Sequence, residues 1–485
     1  MKRFLLLAVL FFSVLAPALA QPRPLVKLTE ADLKDGVLYD AVVIFKDKGP
    51  LPEARIKDLV SRLEQSFKPE ALARRKAKRT ASGLFDERDY PLFEPYVKAV
   101  SASGAALLVE SRWLNSLTIR GRRGALLAVK NLSCVAKVDC YHEVTAKKTV
   151  APPGGEAPVK VPENPGFFGL AKAQLEMNGI DRLHEAGYTG KGVRLAVIDC
   201  GFDLDHKAFN HPEKKMKIVD QWDFVDNDPE IRPDSGTISE YYGHGTSVLS
   251  LIAAYAPGEL VGAAHDADFL LYHAEWGDHE YYLEEYWFAA ALERAERMGA
   301  DAATSSLVLY GGYPQAQVDG RTSVMTRAVN IALENGLVCL AGAGNSGNDQ
   351  DPATSTMLPP GDALLAIAVA AAAPTGATAR FSSDGKMIEG GFKPEAVALG
   401  NSPVTVSLER KDGYTRVGGT SVATPLLAGG IACLLQVHPE WTVKQVREAV
   451  FKSGDYFRKN GKPDPLFICG YGIPDLFLAA GLTAK

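Results

Sequence analysis

Three side chains able to do acid–base and nucleophilic chemistry stand where an alternating strand–helix chain would expose them. Asp199 closes the apolar run VRLAVIDC, His244 lies in YYGHGTSVLS, and Ser421 lies in GGTSVATP, the last two at expected helix starts. A serine hydroxyl is a weak nucleophile near neutral pH and needs a base beside it. Imidazole can take that proton near neutral pH. A buried carboxylate can hold the imidazole in the useful tautomer and stabilise the imidazolium. Taken singly, each residue has an ordinary explanation: a strand-end cap, a structural histidine, a helix N-cap. The flanking glycines, Gly243, Gly245, Gly418 and Gly419, shift the balance. Glycine permits close backbone approach and unusual dihedrals. The chemistry indicated is acyl transfer to a serine.

The elements that must position these groups fall into two blocks. Residues 167–485 alternate strand-like runs (VRLAVIDC, ADFLLYHAE, AATSSLVLY, LVCLAGAG, LLAIAVAAA) with helical ones. That alternation predicts an α/β fold, a doubly wound, mostly parallel sheet with helices on both faces. Active groups then belong at the carboxyl ends of the strands. Residues 151–166 are rich in proline and glycine and read as a linker. Residues 21–150 run β-α-β-β-α-β with an extra helical insertion, the pattern of a small α+β ferredoxin-like domain. Inside it the basic cluster RRKAKR (74–79) reads as a solvated helix end, with a processing site as the sharper alternative. Residues 1–20 have a basic start, an apolar stretch and Ala18-Leu19-Ala20, the marks of a signal peptide cut after Ala20.

Composition narrows the function further. The 485 residues carry 53 basic and 58 acidic side chains, a net charge of -5, with no basic face for nucleic acid. No later stretch reads as a membrane span, so no stable membrane association is expected once the leader is removed; the product is secreted or periplasmic. The 6 cysteines show no zinc spacing and no disulfide framework, and no disulfide is expected. Cys134 and Cys140 would share one face of a strand without meeting.

VIDCGFD, GHGTSVLSLIA and GGTSVATPLLAGG together resemble the three signature blocks of the subtilisin-like (S8) serine peptidases, in the subtilisin order Asp, His, Ser. The resemblance implies a secreted endopeptidase acting on protein or peptide substrates, with Asp199, His244 and Ser421 as its triad. It also implies that the 21–150 block is a propeptide, a folding assistant that occupies the active site in cis until cut away. LAGAGNSG resembles the oxyanion block, which makes Asn345 a donor beside the backbone N–H of Ser421. Loss of such an Asn costs about a hundred- to a thousandfold in rate, a magnitude that comes from subtilisin itself. Ser306, Leu307 and Val308, with Gly344, are the implied substrate-binding positions, where substrate backbone pairs in β fashion.

Departures from the family pattern carry their own expectations. Val308 stands where the family has glycine, which implies a narrowed pocket favouring small or medium apolar residues before the scissile bond. Cys200 follows the catalytic Asp where Thr is usual, and a thiol there implies mercurial sensitivity. Leu399 replaces a proline in a loop. Pro425 falls early in the Ser421 helix, where a missing N–H is expected to cost little. No cofactor is required for the chemistry. Calcium is a candidate structural ion near 203–206 and 223–230, but no metal ligands are assigned. The alternative function is a catalytically silent subtilisin fold used for binding. An esterase elbow, G-x-S-x-G, does not fit residues 419–423.

Overall fold

A computed structural model describes residues 25–26, 28–144, 158–232, 239–276 and 280–483. The expected leader, much of the expected linker and the side chain of Cys140 lie outside the described residues.

The N-terminal block is a four-stranded antiparallel sheet of β1 (Leu38–Phe45), β2 (Ala106–Ser111), β3 (Ser116–Arg122) and β4 (Val135–Glu143), in the order β2-β3-β1-β4. Its helices are α1 (Glu53–Ser66), α2 (Pro69–Lys78), α3 (Glu94–Ala102) and α4 (Arg123–Lys130). Strand β1 is almost wholly apolar and buried, as the central position demands. Tyr39, Val43, Leu117, Ile119, Leu126 and Val129 form the core beneath α4. The expected ferredoxin-like order is therefore observed, and α1 and α2 are the insertion. Leu59, Leu63 and Phe67 pack this insertion around a small core of its own.

The larger block is built on seven strands, all paired parallel: β5 (Arg194–Asp199), β6 (Lys217–Asp223), β7 (Asp268–His273), β8 (Ala302–Ser305), β9 (Val338–Gly342), β10 (Ile367–Ala372) and β11 (Ala396–Leu399). Their order is β11-β10-β9-β8-β5-β7-β6. The helices that matter for function are α5 (Ser239–Ala253), α6 (Tyr282–Arg297), α7 (Val324–Glu334) and α8 (Thr420–Val437). Every residue of β9, β10 and β11 is buried, as expected for strands covered on both faces. Helix α8 is long and apolar enough to cross a membrane, which the sequence reading did not credit to any stretch after the leader; 83% of it is buried within the protein, so it is a core helix.

The basic cluster at the end of α2 corrects a sequence expectation. It is not a solvated helix end. Arg74 and Arg75 are 4% and 2% exposed. Arg75 forks onto Asp89 at 2.9 and 2.7 Å, and its Nε and Nη2 donate to Glu296 of α6 at 2.9 Å each. Arg74 reaches the same Glu296 carboxylate at 2.5 Å. Arg79 donates to Asn335 at 2.8 Å, and the Thr80 N–H to the Glu334 carbonyl at 2.8 Å. The insertion is thus clamped to the larger block through α6 and the end of α7. The β2–β3 turn adds a second anchor, where Glu293 accepts from Arg112 and from the Trp113 N–H at 2.5 and 3.1 Å.

Candidate active site

Asp199 is the last residue of β5 and is fully buried. Its Oδ1 accepts from the Cys200 N–H at 2.9 Å, from the Cys200 thiol at 3.3 Å and from His244 Nδ1 at 2.7 Å. A carboxylate only accepts, so the proton of neutral His244 sits on Nδ1 and Nε2 is left basic. His244 lies in the second turn of α5 rather than at the helix start, with its side chain 37% exposed. The glycine after it is required by packing inside the protein. A Cβ on Gly245 would run into the Gly201 carbonyl and come within 3.1 Å of Asp199 Oδ1. The absent side chain therefore lets α5 approach β5 closely enough for the Asp–His bond.

Ser421 is the second residue of α8, which packs on α5. Its N–H belongs to the helix-start donors that lack an intrahelical acceptor. The cap, Gly419, has φ +145, a conformation that L side chains rarely adopt. A Cβ there would lie 2.8 Å from Ser421 Oγ and 3.5 Å from Asn345 Nδ2, so these two atoms border one small space. Asn345 follows β9, and its Oδ1 accepts from the Thr420 N–H at 2.8 Å and from the Thr420 hydroxyl at 3.1 Å.

Pro425 sits deeper than the sequence reading placed it. It is the sixth residue of α8, not part of the first turn, and its missing N–H would have bonded the Ser421 carbonyl. Ser306 fills that gap: its hydroxyl donates to the Ser421 carbonyl at 2.7 Å. Leu307 is buried and Val308 half-buried on the segment leaving β8, and the Leu309 N–H reaches the Pro359 carbonyl at 3.4 Å across the way. Gly344 has φ +109, and a Cβ there would crowd Ser383 and Leu358.

Cys200 is closed off. Burial pushes its thiol well above the ordinary range, with the Asp199 charge adding to the rise. A neutral, buried thiol is a poor target for thiol reagents. None of the cysteines Cys134, Cys200, Cys339, Cys433 and Cys469 is in a disulfide among the described residues. Three carboxylates of the acidic loops considered for calcium, Asp203, Asp205 and Asp223, pair with basic side chains. Arg232 pairs with Asp203 and Asp205, Lys411 with Asp205 at 2.7 Å, and His273 with Asp223 at 2.7 Å.

A parallel α/β sheet with a Ser-bearing helix, an Asp–His pair and an amide donor gathered at one end has the parts of a serine hydrolase of the subtilisin type. Residues 190–472 match the model of the subtilase family (peptidase S8), and residues 40–153 match the peptidase S8 propeptide domain of Bacteroidota. The chain belongs to the subtilase family and is a serine-type endopeptidase with a propeptide domain. It is 32% identical over 300 residues to subtilisin E of Bacillus subtilis (strain 168), covering 61% of this chain and 68% of that one. It is 32% identical over 301 residues to a subtilisin of Bacillus pumilus, covering 61% and 94%. Among solved structures it resembles fervidolysin from Fervidobacterium pennivorans, with TM-score 0.56 and 21% identity, over 94% of this chain and 63% of that one. At that identity the last likeness speaks for the fold.

Proposed function

We propose that the chain is a secreted or periplasmic endopeptidase made as a self-inhibited precursor, with Asp199, His244 and Ser421 as its triad. In this reading residues 1–20 are a cleaved leader, 21–150 the propeptide, 151–166 the segment where maturation cuts, and 167–485 the peptidase. The observation that carries the site is the 2.7 Å bond from His244 Nδ1 to buried Asp199, with Ser421 on the adjoining helix. Ser421 Oγ attacks the scissile carbonyl while His244 Nε2 takes its proton. The C–N bond breaks as His244 returns that proton to the leaving amine. Water, deprotonated by His244, then releases the acyl group and restores the serine. Asn345 Nδ2 and the Ser421 N–H donate to the developing oxyanion. The steps call on the chain's own side chains and backbone and on water. Partners are protein or peptide substrates and the chain's own propeptide.

The test compares full-length wild type with Ser421→Ala, by intact mass and by labelling with a fluorophosphonate. Wild type is expected to lose its N-terminal segment and to label at Ser421, whereas the variant stays whole and unlabelled. Equal processing and labelling of the two would remove Ser421 from the mechanism. A binding-only protein would leave both unlabelled.

A further inference from the structure

The orientation of the Asn345 amide is fixed from one side. The Thr420 N–H is an obligate donor, so the atom 2.8 Å from it must be the amide oxygen. The amide nitrogen therefore faces the other way, and it lies 3.5 Å from the point a Gly419 Cβ would occupy, a point 2.8 Å from Ser421 Oγ. On that side it has a neighbour that none of the signature blocks contains. Its Nδ2 donates to the hydroxyl of Tyr310 at 3.4 Å. Tyr310 is half-buried and lies on the chain that leaves β8, four residues beyond Ser306. That chain is itself held at Ser306 by the bond to the Ser421 carbonyl and at Leu309 by Pro359.

An amide NH2 has two hydrogens splayed in its plane. With its oxygen held by Thr420 and one hydrogen directed at Tyr310, the second is the one left to serve the space that Nδ2 borders with Ser421 Oγ. We infer that Tyr310 is a positioning residue for the oxyanion donor: its phenol oxygen pins the Asn345 amide so that one N–H is already aimed where negative charge develops. Fixed dipoles of this kind lower the barrier because they need no reorganisation during reaction. The inference rests on the proposed triad and deepens it.

The experiment uses enzyme prepared from the full-length chain, with Tyr310→Phe, Asn345→Ala, the double variant and Ser421→Ala, assayed on a chromogenic peptide amide. Loss of one neutral hydrogen bond predicts a fall in kcat of roughly three- to tenfold for Tyr310→Phe. KM should stay within about twofold, since the bond acts in the transition state more than in substrate binding. Binding of a peptide boronate, which mimics the tetrahedral state, should weaken by the same factor as kcat. In the Asn345→Ala background, Tyr310→Phe should have no further effect, a readout that a general loss of stability would not reproduce. An unchanged kcat, a change confined to KM, or an equal loss with and without Asn345 would each overturn the role of Tyr310. Turnover surviving in Ser421→Ala would instead overturn the triad itself, and the Tyr310 inference with it.

Discussion

If the proposed substrate-binding positions hold, Val308 is the side chain that most directly sets what the enzyme accepts. Its half-buried isopropyl group lies on a segment tied at both ends by Ser306 and Leu309. Such a segment cannot retreat to admit a large ring. Val308→Gly is expected to raise kcat/KM for substrates with Phe or Tyr before the scissile bond by about tenfold or more, and to change those with Ala little. In a hydrophobic pocket one methylene alone is worth about 1–3 kcal/mol of discrimination, and Val308→Gly removes three carbons. A peptide-library profile of the two enzymes checks it; an identical profile would place the pocket elsewhere. The short motifs around Asp199, His244 and Ser421 were legible in the sequence because the chemistry restricts both the reactive residue and its glycine neighbours. Tyr310 was not, because one tyrosine among 17 carries no pattern and its meaning arises only when two distant loops meet.

Strands and helices were legible for the same physical reason that they form: burial on one face or two imposes a period on the apolar residues. The α2 cluster shows where that logic stops. A run of arginines reads as solvated, since arginine is seldom buried without a partner. Here the partners, Asp89 and Glu296, come from a following turn and from a helix more than two hundred residues away. Removing one partner from a buried ion pair costs about 3–5 kcal/mol. Glu296→Ala in the Ser421→Ala precursor is therefore expected to loosen the insertion. The signs would be faster hydrogen exchange across Glu53–Lys78 and earlier tryptic cutting at Arg74 and Arg75. Unaltered exchange there would mean that the contacts of Arg79 and Thr80 at the end of α7, with the clamp at Glu293, suffice without it. The same burial withholds Arg74 and Arg75 from any basic-specific processing enzyme while the insertion stays docked.

At the scale of the whole molecule, the sheet's carboxyl edge carries a second imidazole–carboxylate pair next to the first. His273 ends β7, in register with Asp199 on β5, and its Nδ1 bonds Asp223 at 2.7 Å. Burial alone would strip its proton. The charge and hydrogen bond of Asp223, with the Glu275 carbonyl on Nε2, outweigh that and raise its pKa. The folded protein then holds a proton that the unfolded chain gives up near pH 6.5. This contribution to stability is complete below about pH 6.5 and is lost as pH rises through the folded pKa. Against wild type, His273→Asn should show a melting temperature that depends less on pH above neutrality, read by calorimetry on the Ser421→Ala protein to avoid self-digestion. Parallel pH curves would assign the slope to other groups. One contact noted above reaches further than its size. Because the hydroxyl of Ser306 holds the Ser421 carbonyl, the proposed substrate wall and the proposed nucleophile share a fastening. Protein engineers who rebuild that wall to widen the enzyme's diet should therefore find catalytic speed shifting alongside appetite, and would need to retune both together.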